Sequence, residues 1–338
     1  MTTNTLFKRA LKPVFFLLLF TTAFTKTAHA GHSDTVTLKV MTFNVLGAGA
    51  WDDKPVDETV AAIRAANADI IGIQETRVYD DNNCEYSSLP YDTCPPIGQS
   101  RAKAIADELG YYYYNQKKGN AAIWSNAVIS RYPINDATKN EIGVSINVDG
   151  TEVYIFNMHL SDYPYQPYQL LDIEYGDAPF LDTAAQAIDA AKEARGKAID
   201  LFFKDLKEAS DAKAIFVTGD FNEPSWHDWT KEAVAAGNQP LRVKWPTAKR
   251  IEDAGFVDAL RDVYPNEVQK KAFTWTPTTE PTDPADHHDR IDYIFVKARG
   301  VDVKNAAIVG ENALEADIVV TPWPSDHRAV VATIKFKI

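Results

Sequence analysis

The sequence predicts an α/β (α+β) fold in which two mixed β-sheets pack face to face and helices cover their outer faces, a four-layer α/β/β/α sandwich. Three observations predict it. Strand-like and helix-like periodicities interleave along the whole chain. Several consecutive strand-like runs are spaced as hairpins, which a single doubly wound parallel sheet does not use. No internal repeat or low-complexity linker divides the chain.

The elements follow in order. Residues 35–45 alternate Val36, Leu38 and Val40 with Thr37 and Lys39, the period of a half-buried strand, and end in Thr42-Phe43-Asn44. Residues 56–66 place Val60, Ile63 and Ala66 at helical spacing. The run Asp69-Ile70-Ile71-Gly72-Ile73 reads as a strand buried on both faces, and it delivers Gln74-Glu75-Thr76-Arg77 at its carboxyl end. A polar, proline-containing loop covers 77–99, and a helix is expected over 100–109. Further strands are expected at 111–115, 121–124, 127–132, 142–148 and 153–158, then a long Ala-, Lys- and Glu-rich helix over 181–208. A buried strand at 214–218 runs into Gly219-Asp220, and strands at 290–296 and 328–336 complete the set.

The first thirty residues stand apart from that fold. Lys8, Arg9 and Lys12 make a cationic start, 13–20 is apolar apart from its proline, and Ala28-His29-Ala30 is a small-x-small cleavage pattern. That is the layout of a secretory signal peptide. The apolar stretch is too short for a bilayer core of ~30 Å, which takes roughly twenty residues. The expectation is a secreted or periplasmic monomer, cut near Ala30, with residues 31–338 as one domain and no stable membrane span. Residues 1–30 hold four of the 35 Lys and Arg and none of the 47 Asp and Glu, so the remainder carries 31 positive against 47 negative groups, a formal −16. Proteins that grip nucleic acid by neutralising phosphates usually present a basic face, and this balance does not favour such a partner. An oxidising destination makes a Cys84–Cys94 disulfide the expected state, worth roughly 2–3 kcal/mol. Two free thiols are the alternative; metal binding by the pair is unsupported, since no histidine lies near it.

Polar clusters directly follow strand-like runs at five places, where sites are commonly built. Together they offer carboxylates, carboxamides and histidines, with no serine-nucleophile motif and no thiol. Oxygen ligands such as Glu75, Asp220 and Asp326 suit Mg²⁺, or Mn²⁺ or Ca²⁺, better than zinc. In chain order the clusters are T-F-N-V at Asn44, I-Q-E-T-R at Glu75, N-M-H-L at His159, G-D-F-N at Asp220 to Asn222, and R-I-D-Y with S-D-H at Asp292 and Asp326-His327. This ordered set resembles the endonuclease/exonuclease/phosphatase superfamily, which includes pancreatic-type deoxyribonuclease, abasic-site endonucleases, bacterial sphingomyelinases and inositol-polyphosphate 5-phosphatases. The resemblance spans about residues 36–338.

The resemblance implies a role for each position. Glu75 is expected to be the principal metal carboxylate, with Asn44 contributing an amide oxygen and Asp326 close to the metal. His327 corresponds to the general base and Asp292 to the carboxylate that fixes its tautomer, a pairing suited to proton transfer near neutral pH. Asp220 and Asn222 would position water and phosphoryl oxygens. His159 corresponds to the second histidine of the deoxyribonuclease and sphingomyelinase branches, which donates to a phosphate oxygen or assists the leaving group. Asn126, in S-N-A-V-I-S-R-Y-P-I, has Ser125 before it where the family usually has glycine; its amide would orient His159 or touch phosphate, or it is a turn asparagine. Arg77 would lie near the scissile phosphate, or in a surface ion pair.

Taken singly, each of these has a plain structural reading. His159 alone would be a core histidine, the G-D-F-N turn an Asx-turn, and Asp292 half of an ion pair. His287 and His288 sit in a polar loop and are read as solvated, and His227 as a surface residue. Residues 161–180 hold four tyrosines and four acidic groups right after His159. They are expected to wall the site, with Tyr163 and Tyr165 contacting a cationic or sugar-like group, or to form an aromatic-packed surface loop. Three function classes follow: a phosphodiesterase of small-molecule or lipid-head-group esters, a secreted deoxyribonuclease, and a non-catalytic binding module on the same scaffold.

Overall fold

A computed structural model describes residues 1–2, 34–50, 54–79 and 96–338. Cys84, Cys94 and residues 3–30 of the expected signal segment lie outside the described residues. The body that carries the site is Asp34–Ile338. Among the described residues no helix is long and apolar enough to cross a membrane.

Two mixed sheets form this body, as expected. The first has seven strands in the order Ile318–Val319, Asp302–Gly310, Ala329–Lys337, Thr35–Asn44, Ile70–Gln74, Ala127–Ser130 and Tyr112–Asn115. The second has six, in the order Val257–Asp258, Asp292–Ala298, Ala214–Asp220, Thr151–His159, Gly143–Val148 and Ile134–Ala137. At the centre of each, a parallel pair is flanked by an antiparallel strand: Thr35–Asn44 lies parallel to Ile70–Gln74 and antiparallel to Ala329–Lys337. Ala214–Asp220 lies parallel to Thr151–His159 and antiparallel to Asp292–Ala298.

Strand alternation sorts the side chains into layers. Met41, Phe43, Ile71 and Ile73 face outward onto a cluster with Val60, Ile63, Ile105 and Ala106 of the helices Val56–Ala66 and Ala102–Leu109. Phe156, Met158, Val217 and Phe295 face the long helix Ala184–Asp205 through Ala198, Ile199 and Phe202. Leu38, Val40, Ile70, Ile155, Phe216, Ile294 and Val296 fill the space between the sheets. The inward positions change character along each strand. Leu38 and Val40 give way to Thr42 and then Asn44; Ile155 gives way to Asn157 and His159; Phe216 gives way to Thr218 and Asp220.

The middle of that series is a buried polar layer that joins the sheets. Gln74 Nε2 donates to Asn157 Oδ1 at 2.6 Å, the Thr218 hydroxyl donates to the same oxygen at 3.2 Å, and Asn157 Nδ2 donates to the carbonyls of Ile73 and Ala127. Gly72 makes this approach possible, because a Cβ there would stand 2.1 Å from Thr218 Oγ1 and 2.5 Å from Asn157 Oδ1. Gly72→Ala should therefore cost about 1–3 kcal/mol in a urea unfolding titration, the usual price of overpacking. It should also lower turnover by displacing Asn157, two residues from His159.

Several local expectations are corrected. Residues 121–124 form no strand. The Asn120 side chain accepts the Ala122 N–H at 2.9 Å and turns the chain there. Asp302–Gly310 is a nine-residue strand that periodicity does not reveal, because a register shift between Val303 and Asn305 breaks its alternation. The long helix begins at Ala184, where the Thr183 hydroxyl caps the Gln186 N–H, and passes at Leu206 into a 3₁₀ turn.

Candidate active site

The site forms where the inter-sheet space turns polar and opens. Strand register sets three of its members in one row: Asp220 pairs with His159 on one side and with Asp292 on the other. Gly219, just before Asp220, permits that close pairing, since a Cβ there would stand 2.3 Å from the Met158 carbonyl oxygen. The first sheet supplies Asn44 at a strand end, Glu75 immediately after Ile70–Gln74, and Asp326-His327 immediately before Ala329–Lys337. Asn222 follows Asp220 by one turn. Glu75 and Asn222 hold φ of +54° and +48°, a left-handed conformation uncommon for either residue and frequent where a side chain must be aimed. The Glu75 turn is fixed by its carbonyl, which accepts the Gly47 N–H at 2.7 Å, and by Thr76 N–H on the Ser125 carbonyl at 2.8 Å. Ser125 itself sits at φ +52°, which accounts physically for a preference for glycine at that place.

Asp220 Oδ2 is the centre of the arrangement. It accepts Asn44 Nδ2 at 3.0 Å and lies 3.5 Å from His327 Nε2 and 3.6 Å from His159 Nε2. Glu75 Oε1 accepts Asn44 Nδ2 at 2.8 Å and lies 3.7 Å from His159 Nε2. His327 Nδ1 meets Asp292 Oδ2 at 3.0 Å, so the opposite ring nitrogen faces the centre. The indole of Trp124 meets the His159 ring edge-on at 6.0 Å.

Electrostatics here reflect crowded carboxylates taken out of water. Burial pushes the Glu75 carboxyl up to about 7; His159 opposes that rise and Asp326 adds to it. Burial likewise raises Asp292 against the pull of His327. Burial works to lower His327, but Asp292 and Asp220 outweigh it and hold the imidazole well above its ordinary range.

Glu75, His159 and Asp220 each offer a ligand atom within 4.8 Å of the others, and so do Asp220, Asp292 and His327. Hard carboxylate oxygens that repel one another until a cation joins them fit a divalent metal. A proton on Glu75 competes with that metal. Metal affinity should therefore weaken about tenfold per unit as pH falls below 7, and calorimetry at pH 6 should show about one proton released per ion bound. Equal affinity at pH 6 and pH 8 would refute this.

The Asn44 amide oxygen accepts the Leu46 N–H at 3.2 Å, and its nitrogen donates to Glu75 and Asp220 and ties the two carboxylates together. Tyr165, expected as a substrate contact, is instead buried and gives its hydroxyl to Asp289 at 2.9 Å. Tyr163 is half-buried, with its hydroxyl on Asp177. Asn126 is buried, its amide nitrogen on the Asn157 carbonyl and its oxygen on the Trp124 N–H. Asn222 gives its amide to the Leu160 carbonyl at 3.0 Å, beside His159. Arg77 is half-buried two residues past Glu75. Asp326 is half-exposed and lies outside both ligand groups. His288 is buried against Thr279, and His287 packs on Trp229 with Nε2 on Gln239 at 2.8 Å; neither is solvated. His227 meets Glu252 at 2.9 Å.

Other residues that position the site carry no strand-end signature. Ser325 donates to the Asn44 carbonyl at 2.7 Å and accepts the His327 N–H at 3.1 Å, stitching the two ends of the first sheet's site strands. Arg290, ahead of Asp292, is buried with Nε on Asp228 at 2.8 Å and NH1 on Asp258 at 2.9 Å, and Asp228 also accepts Arg261 Nε at 2.7 Å.

The profile of the Endonuclease/Exonuclease/phosphatase family matches residues 41–327. An uncharacterized protein of Caenorhabditis elegans is 25% identical over 321 residues, covering 88% of this chain and 91% of its own. Among solved structures, a 3′ phosphatase NExo from Neisseria superposes with a TM-score of 0.50 at 16% identity, over 87% of this chain and 98% of its own. An endonuclease/exonuclease/phosphatase from Beutenbergia cavernae gives 0.49 at 20% identity, over 89% and 72%. The profile match, over most of the chain, shows the family. With the strand-end carboxylates and histidines gathered at one point, the chain belongs to the endonuclease/exonuclease/phosphatase family of metal-dependent phosphoric ester hydrolases.

Proposed function

We propose that the chain is an exported phosphodiesterase that cleaves a small-molecule or lipid-head-group phosphoester by in-line attack of water. The observation that carries the substrate class is the segment behind His159. From Ser161 to Ala191 it contains six acidic residues and no Lys or Arg, and Asp162, Asp172, Glu174 and Asp177 are exposed. An acidic surface of this kind on the segment that follows His159 would repel a polyanion and accommodate a single phosphate bearing a neutral or cationic group.

The chain's own residues divide the work. His327, oriented by Asp292, presents Nε2 to the centre of the site and takes the proton of the attacking water. Glu75 and Asp220, with His159 beside them, would hold Mg²⁺, or Mn²⁺ or Ca²⁺, and Asn44 sets their spacing. A bound cation supplies positive charge to the phosphoryl oxygens and the leaving group. His159 donates to a phosphoryl oxygen, and Asn222 holds the backbone that carries it.

Turnover of bis(p-nitrophenyl) phosphate should require a divalent cation and vanish with chelator. It should rise with pH, because a base held protonated must first lose that proton. A panel of plasmid DNA, sphingomyelin, glycerophosphodiesters and inositol phosphates then assigns the class. Cleavage of plasmid DNA alone would replace this reading with a nuclease; no turnover of any member by folded, metal-loaded protein would end it.

A further inference from the structure

Asp292 and His327 come from opposite sheets, so their 3.0 Å contact depends on whatever spaces the two strand ends. The segment Thr274-Trp275 lies between those ends. Trp275 forms backbone bridges with Asp289 on one side and His327 on the other. Thr274 is fully buried, and its carbonyl accepts the Arg328 N–H at 2.6 Å, one residue past His327. Its hydroxyl oxygen accepts the N–H groups of Ile291 at 3.0 Å and Asp292 at 3.1 Å. That leaves the hydroxyl one proton to give. Asp292 Oδ1, the oxygen His327 does not use, is buried with no hydrogen-bond partner, and the Thr274 hydroxyl already holds the N–H of that same residue.

We propose that Thr274 is a positioning residue for the proton-accepting pair, holding Asp292 through its hydroxyl and the His327 strand through its carbonyl. The assignment rests on the hydrolytic reading above. A buried hydroxyl that accepts two backbone N–H groups is costly to lose, and its loss should be felt at the pair it spaces.

Thr274→Val keeps the shape and removes the hydroxyl; Thr274→Ser keeps the hydroxyl. The valine variant should lose about 10–100-fold in kcat on bis(p-nitrophenyl) phosphate, the range typical of residues that orient a ligand or base, with KM and metal affinity little changed. The serine variant should stay within about threefold of wild type. The downfield proton resonance of His327 Nδ1–H should persist in the serine variant and disappear in the valine variant. In an Asp292→Asn background, adding Thr274→Val should cost nothing further. Should the valine variant not fold, Thr274→Ala, which leaves room for water at the two N–H groups, takes its place in every measurement. Equal losses in the serine and valine variants, an unmoved resonance, or full additivity with Asp292→Asn would each overturn the proposal. If wild-type protein cleaves no phosphoester, the hydrolytic reading fails, while the resonance comparison still decides whether Thr274 spaces the pair.

Discussion

Replacing His327 by alanine should reduce metal-dependent turnover of bis(p-nitrophenyl) phosphate by roughly 10²–10⁴-fold, the usual contribution of a positioned base. The geometry leaves little to substitute for it. Asp292 approaches only the far ring nitrogen, and His159 Nε2 is directed at Glu75 and Asp220. Metal affinity at Glu75 and Asp220 should survive, since both carboxylates stay in place. The result is therefore a low kcat with binding preserved, readable by pairing steady-state kinetics with calorimetry. A variant within a factor of a few of wild type would show that another group, or bulk hydroxide, removes the proton.

The second large effect falls on the scaffold. Asp228→Ala should cost about 3–5 kcal/mol, because it strands the buried guanidinium groups of Arg261 and Arg290. Melting should drop by on the order of 10 °C. Asp228 shows how strongly it is held: burial pushes its carboxyl up, yet the two arginines bring it below its ordinary range. Arg290 can lean on Asp258, but Arg261 also organises the carbonyls of Tyr264, Lys270 and Lys271, so the loop ahead of Thr274 should loosen with it. Unchanged denaturant midpoints would mean that water or rearranged backbone replaces the carboxylate.

The site was legible because it is built by alternation. Thr42, Asn157 and Thr218 precede Asn44, His159 and Asp220 by two residues, so polar side chains on an inward face announce the approach to the rim. What stayed hidden depends on partners distant in sequence or on backbone detail. Which end of the Asn44 amide faces the carboxylates is decided by a single N–H, that of Leu46. Tyr165 reads as a substrate contact until Asp289, 124 residues away, takes its hydroxyl. His287 and His288 look solvated in a polar loop, yet that loop folds inward because Asp289 accepts Trp229 at 2.9 Å and Gln239 at 3.3 Å.

The division of the site between the sheets has a consequence for how activity arises. One sheet holds Asn44 and is flanked at its strand ends by Glu75, Asp326 and His327; the other holds His159, Asp220 and Asp292 and directly precedes Asn222. At the centre of the first sheet Thr35–Thr42 pairs with Val330–Lys337, from the other end of the sequence. A half-folded chain should therefore show no turnover, because His327 then stands without Asp292 and Asp220. Hydrolysis becomes an all-or-none report on closure of the sandwich.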